Sequence, residues 1–322
     1  MAKRLFFLFF NGCEGLSFSG PQQAFHEANQ FGADYEIHHC GFEPEAITEQ
    51  GLRVAGLEPL PEATAGDRVF ISGYTIGNAT PPEPVIRWLK RVAERRPTMV
   101  SVCSGAFFLG LAGLLDGRPC TTHWKRYDLL QKTFPRAMVL KERLFVEDGN
   151  LLTSGGGASS IDLALHIIEQ DYGPLVTARV AREMVVYFRR DADTPQTSVY
   201  LDYRSHLNPS IHALQDALSN QPEDDRDLEA WAKEVGMSPR NLTRTFRQAT
   251  GISIHEYRTK LRLERASGLL HSPGLTVDAV AALCGFSDSR HLRRLWRQNF
   301  GTSPKAVLQP KTTAVPSVVM ET

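Results

Sequence analysis

Cys103-Ser104-Gly105 is the stretch of this chain best suited to covalent chemistry. It follows the apolar run at 98–102 and precedes a helical pattern at 106–115. One side chain is therefore expected on a tight turn above a sheet, at a helix N-terminus. Backbone N–H groups and the helix dipole there would favour a thiolate, the nucleophilic form of cysteine. His123 is a candidate base, since partners of a nucleophile need not be its neighbours in sequence. A thiol with neither an orienting acid nor an evident base is weak evidence for catalysis, and no catalytic residue is assigned. Cys103 and His123 stand only as vestigial candidates. A second chemistry is carried by guanidinium groups. Arg240, Asn241, Arg244 and Arg247 fall on one outer face of a helical pattern, and Arg290, His291, Arg293, Arg294 and Arg297 on another. Guanidinium pairs well with guanine edges and an amide with adenine, so both faces suit the DNA major groove. Ser238, Ser287, Lys260 and Lys305 suit phosphate contacts.

The elements that position these arginines are legible. Val277, Val280, Ala281 and Cys284 form an apolar stripe, capped by Thr276 and stopped by Gly285. Ser287 is expected to cap the next helix, whose Leu292, Leu295 and Trp296 face inward. An earlier copy has the stripe Leu228, Trp231, Ala232 and Val235, the stop Gly236, the cap Ser238-Pro239, and the inward Leu242 and Phe246. Leu242 and Leu292 are 50 apart but Gly236 and Gly285 only 49, so the second turn holds one extra residue. Residues 254–270 read as one helix spacing the two copies. Two helices about a Gly-containing turn, repeated, are paired helix-turn-helix motifs. From 240 to 311 there are 13 basic and 4 acidic residues, a net of +9 within a chain of zero net charge. Nucleic acid is the natural partner of such a patch.

Over about 205–309 the chain resembles the AraC-type DNA-binding domain, most specifically in Ala281-Ala282-Leu283-Cys284-Gly285-Phe286-Ser287-Asp288 and Phe300-Gly301-Thr302-Ser303-Pro304. The resemblance implies two recognition helices in successive major grooves of double-stranded DNA.

The N-terminal half alternates strand and helix. Strands are expected at 5–10, 35–40, 68–72 and 98–102, with a short edge strand or hairpin at 52–57. Helices are expected at 21–31 and 81–95, the latter burying Val85, Trp88, Leu89 and Val92. A hairpin at 144–153, a glycine loop at 154–157 and helices at 159–169 and 174–190 complete it. This is the pattern of an α/β flavodoxin-like parallel-sheet sandwich followed by an all-α domain. The crossover rule would carry Gly73-Tyr74, His123 and the loop at 154 to the Cys103 edge. The half resembles the PfpI-type, class I glutamine-amidotransferase-like superfamily through Cys103, Thr121-Thr122-His123 and Thr153-Ser154-Gly155-Gly156. PfpI hydrolases carry a histidine directly after the cysteine, where Ser104 stands. Cysteine-sensing relatives hold a carboxylate near the thiol, and the aligned position is Ser17, with Glu14 three residues earlier.

The two halves together resemble the GlxA-like transcriptional regulators. That resemblance implies a pocket for a small, nitrogen-containing metabolite, lined by Gly73, Tyr74, Cys103, Ser104, His123, Trp124, Ser154 and Gly155. Tyr74, Phe107 and Trp124 are candidates for an aromatic cage around a quaternary ammonium, and the N–H groups at Ser104-Gly105 for a carboxylate. It also implies a homodimer through the α/β domain and contact with RNA polymerase; activation and repression both stay open. The competing reading is an amidase or glyoxalase-type cysteine enzyme tethered to DNA.

No cofactor is called for. Five scattered cysteines without a CxxC indicate neither a disulfide framework nor a zinc cluster; His38-His39-Cys40 and Cys120-Thr121-Thr122-His123 lack further ligands at metal spacing. Residues 5–10 are too short for a signal peptide and nothing approaches a membrane span, so a cytoplasmic protein is expected. The expected domains are 1–192 (sensor), 193–204 (linker), 205–310 (DNA-binding) and 311–322 (disordered tail).

Overall fold

The computed structural model describes residues 2–75, 82–141, 143–187, 189–270, 274–300 and 303–305. Expectations for residues 76–81, Gly301, Thr302 and the tail 311–322 lie outside these. The chain divides into two compact units, Met1–Gln196 and Thr197–Thr322.

The first unit runs β1 (Lys3–Phe9), α1 (Leu16–Gln30), β2 (Tyr35–Gly41), β3 (Glu45–Ile47), β4 (Arg53–Ala55), β5 (Arg68–Ile71), α2 (Glu83–Ala93), β6 (Thr98–Val102), α3 (Ala106–Leu111), β7 (Pro119–Cys120), α4 (Tyr127–Thr133), β8 (Met138–Val139), β9 (Phe145–Asp148), β10 (Leu151–Ser154) and α5 (Ser159–Glu183). Six strands form the main sheet in the order β2-β1-β5-β6-β10-β9, all parallel except β9. The apolar run in β1 is covered on both faces. Phe7 stacks on Phe70 with ring centroids 4.5 Å apart and meets Phe25 of α1 edge-on. Each such burial contributes about 1.5–3 kcal/mol. Because β1, β5, β6 and β10 point the same way, the loops that follow them meet at one sheet edge.

Three boundaries differ from the sequence-based expectation. Helix α1 starts at Leu16 rather than 21 and carries Pro21 inside it, because burial of Ser17 and Phe18 overrides the proline as a start signal. Helix α3 ends at Leu111, four residues early, ahead of Gly113 at φ +77°. The two helices expected at 159–169 and 174–190 are the halves of α5, kinked at Gly173 (φ 83°) and ending at Glu183.

The second unit is helical: α6 (Val199–Asp202), α7 (Pro209–Asn220), α8 (Leu228–Glu234), α9 (Pro239–Thr250), α10 (Ile254–Leu270), α11 (Val277–Leu283) and α12 (Ser289–Phe300). A helical turn thus lies inside the stretch expected as a linker, at 193–204. Two cores form. One gathers Ile211, Leu214, Trp231, Leu242, Phe246, Tyr257 and Leu261. The other gathers Leu263, Ala266, Leu270, Val280, Cys284, Leu292 and Trp296. Helix α10 serves the first with its N-terminal half and the second with its C-terminal half. Among the described residues, no helix is long and apolar enough to cross a membrane.

Candidate functional site

Cys103 has a φ of 57°, the left-handed region, which strains any residue with a side chain. Glycines make the turn possible. A methyl group at Gly156 would lie 2.3 Å from Cys103 Cβ, one at Gly73 2.8 Å from it, and one at Gly105 2.4 Å from the Ile71 carbonyl oxygen. Ser104 locks the adjoining loop: its hydroxyl accepts from the Tyr74 N–H at 2.7 Å and donates to the Tyr74 carbonyl at 2.6 Å. The Thr122 hydroxyl donates to the Cys103 carbonyl at 2.8 Å.

A carboxylate does reach the thiol, and it belongs to Glu14, not to position 17. The Glu14 N–H donates to the Gly73 carbonyl at 2.9 Å, which draws the loop after β1 onto the elbow. Ser17, which occupies the aligned position, donates its hydroxyl to Glu14 Oε2 at 2.8 Å. Burial first, then the charge of Glu14, pushes the Cys103 thiol up to about 12, against the pull of the Ser104 N–H. The thiolate expected from the helix N-terminus is therefore not the resting state; desolvation outweighs the N–H groups. His123 is half-buried, and burial lowers its pKa while the Glu14 charge opposes that shift.

The remaining ligand candidates are less open. Tyr74 and Phe107 are buried, with Tyr74 packed on Phe10 and Phe108 and Phe107 on Phe134. Of the three cage candidates only Trp124 is exposed, with the Lys125 ammonium 5.1 Å from its ring centroid. Ser154 is fully buried and directs its hydroxyl at the Ser101 carbonyl. Gly155 is covered by the side-chain amide of Gln196, which donates to the carbonyls of Thr122 at 2.8 Å and Arg143 at 2.7 Å. Among the described residues, no three His, Cys, Asp or Glu side chains are grouped to hold a metal ion, and all five cysteines are free.

The second unit presents its arginines as the repeat implies. Arg240, Arg244 and Arg247 on α9, and Arg290, Arg293, Arg294 and Arg297 on α12, are exposed. Opposite them Leu242 and Phe246, and Leu292 and Trp296, are buried. Asn241 is half-buried and accepts from Arg244 at 3.0 Å. Lys260 is half-buried near the charges of Asp202 and Glu256, and Lys305 is exposed. The caps differ between copies. Ser238 accepts from the Asn241 N–H, but in the second copy Asp288 takes that place, accepting from the His291 N–H at 2.7 Å. Ser287 is the extra residue of the turn; its hydroxyl lies 3.2 Å from His291 Nδ1, and the His291 ring meets Phe286 edge-on.

Comparisons with known proteins agree with both halves. The DJ-1/PfpI family matches residues 3–170, and a helix-turn-helix domain family matches 231–309. The HTH-type transcriptional regulator CdhR of Pseudomonas aeruginosa is 30% identical over 324 residues, covering 98% of this chain and 95% of that protein. The HTH-type transcriptional regulator GbdR of the same species is 29% identical, covering 98% of this chain and 86% of its own. The chain belongs to the DJ-1/PfpI-domain, AraC-type helix-turn-helix transcriptional regulators. Over 56% of its length the regulator also matches the fold of an AraC family transcriptional regulator from Pseudomonas putida, at TM-score 0.51, 22% identity and 98% coverage of that chain. The regulator is thus a DNA-binding protein with a flavodoxin-like α/β domain ahead of its helix-turn-helix pair.

Proposed function

We propose that a small, nitrogen-containing metabolite binds at the Cys103 elbow and controls how the regulator engages its operator. The observation that carries this is that Glu14 Oε2 and Cys103 Sγ both border Gly73, while Thr122, the neighbour of His123, bonds the Cys103 carbonyl. A carboxylate there is a counter-ion for a protonated amine, and Trp124 is an open aromatic face beside His123. The role is regulatory rather than catalytic. The thiol is held protonated, and the serine hydroxyl beside it is committed to the loop of Tyr74.

In this reading residues 1–192 sense and residues 205–310 bind DNA, with α9 and α12 entering successive major grooves. Arg240, Asn241, Arg244, Arg290, His291 and Arg294 read bases, Ser238, Ser287, Lys260 and Lys305 supply the positioning contacts to phosphate, and Arg247, Arg293 and Arg297 also face the DNA. The working form is a cytoplasmic homodimer that also contacts RNA polymerase.

The test is a screen of amino acids, betaines and amines against the full-length protein. Expected is thermal stabilisation by one chemical class, without turnover, and its loss in Glu14→Gln. Conversion of amide or α-oxoaldehyde substrates that disappears in Cys103→Ala would overturn the regulatory reading of the elbow.

A further inference from the structure

The loop at 221–226, between α7 and α8, does more than enter the first helix-turn-helix motif. Pro222 is buried, and the loop lies against three arginines of α10. These are Arg258, Arg262 and Arg265, at i, i+4 and i+7, hence on one side of that helix. Arg262 is the centre. Its side chain is only 13% exposed; Nε donates to the Pro222 carbonyl at 2.6 Å and Nη2 to Asp225 Oδ1 at 3.1 Å. Arg258 donates to the Asp224 carbonyl at 2.6 Å, and Arg265 pairs with Glu223.

The far side of the loop touches the second motif. A methyl group at Gly285, the glycine of that motif's turn, would lie 2.6 Å from Glu223 Cα and 2.9 Å from Arg262 Cζ. On the near side Arg226 bonds Asp224 and Glu234 and sits 3.9 Å from the ring centroid of Trp231 in α8. A continuous run of contacts, Trp231–Arg226–Asp224–Arg262–Gly285, therefore joins the two motifs alongside α10. A single helix passing between two separate cores fixes their separation but leaves a twist about its axis. A second connection removes that twist.

We infer that this loop is a latch that sets the angle at which α9 and α12 meet DNA, at the separation α10 fixes, with Arg262 as its positioning residue. This rests on the proposal that both helices grip one duplex. Guanidinium suits the task because its fixed fork satisfies several acceptors at once, which a lysine ammonium does not reproduce.

The test uses the full-length protein and a duplex selected from a random pool by the wild type. Its two contacted segments are then separated by one to five inserted base pairs, and each segment is also tested alone. For the wild type, affinity falls at least about tenfold on the first insertions, because two linked sites bind well only when geometry permits both. Arg262→Ala binds the parent duplex about tenfold more weakly, changes little across the insertions, and holds single segments within about twofold of wild type. Arg262→Lys falls between them. The surface double variant Glu223→Ala/Asp225→Asn, which leaves Arg262 and its carbonyl acceptors in place, moves the profile in the same direction. A wild-type spacing profile in folded Arg262→Ala overturns the latch, as does equal loss on single and paired segments. A wild type indifferent to spacing overturns the two-groove reading, and the latch with it.

Discussion

The elbow is assembled from five stretches, at Glu14, Gly73, Cys103-Ser104-Gly105, Thr122-His123 and Gly156, which meet because parallel strands end on one edge. Each arginine face comes from a single helix of 12 residues. The elbow is a matter of shape: Gly73, Gly105 and Gly156 have no room for a side chain of their own, and its thiol is desolvated. The arginine faces are a matter of charge at a surface with room to spare. Substitution should therefore damage folding in the first and binding in the second.

Gly156→Ala offers the largest expected effect. A Cβ there meets the Cys103 side chain at a φ of 86°, and urea unfolding should show a loss of about 3 kcal/mol or more. An unchanged midpoint would break the contrast. Arg294→Ala should leave that midpoint alone and weaken operator binding by about 1–3 kcal/mol; an unchanged isotherm removes Arg294 from the readers.

Glu14→Gln sharpens the account of the thiol. A neighbouring negative charge disfavours the thiolate, so its removal lowers the Cys103 pKa from about 12, and burial still keeps it above the ordinary value. At neutral pH the thiolate is the minor form, so alkylation by iodoacetamide should quicken in proportion to its rising population. An equal rate would mean that burial alone holds the proton. Asp288→Ala should cost about 1 kcal/mol of stability in the second unit, and Ser287→Ala less; the reverse order would return the cap to the serine. The smallest effect concerns pH. His123 has a lowered pKa when folded, so the unfolded chain takes up its proton first and stability falls as pH drops below about 6.5. His123→Gln should flatten that part of the thermal-shift profile.

The same contrast explains what is legible in the residues alone. Stripes, caps and stops are local, so the sequence places α8, α9, α11 and α12 to within a residue or two. The one cap misplaced, Ser287 for Asp288, falls at the single insertion between the copies, where a displacement by one is decided by backbone geometry. The parallel sheet and the Cys103 turn follow from alternating patterns; the order of the sheet's strands does not. The partners of the turn do not. Alignment points to Ser17 rather than Glu14 because a loop, not a periodic element, delivers the carboxylate. Gln196 lies 75 residues from Thr121 in sequence, and nothing in its surroundings signals that it covers Gly155.

Three of the basic side chains counted in the C-terminal half, those of Arg258, Arg262 and Arg265, are already matched by the loop at 223–225. Random duplex is held through unmatched cations, each of which exchanges places with small ions from the backbone's atmosphere. With fewer of them, the protein should be held more weakly on arbitrary DNA. More of its copies should then stay free to search, and discrimination should rest on the few side chains proposed to touch base edges.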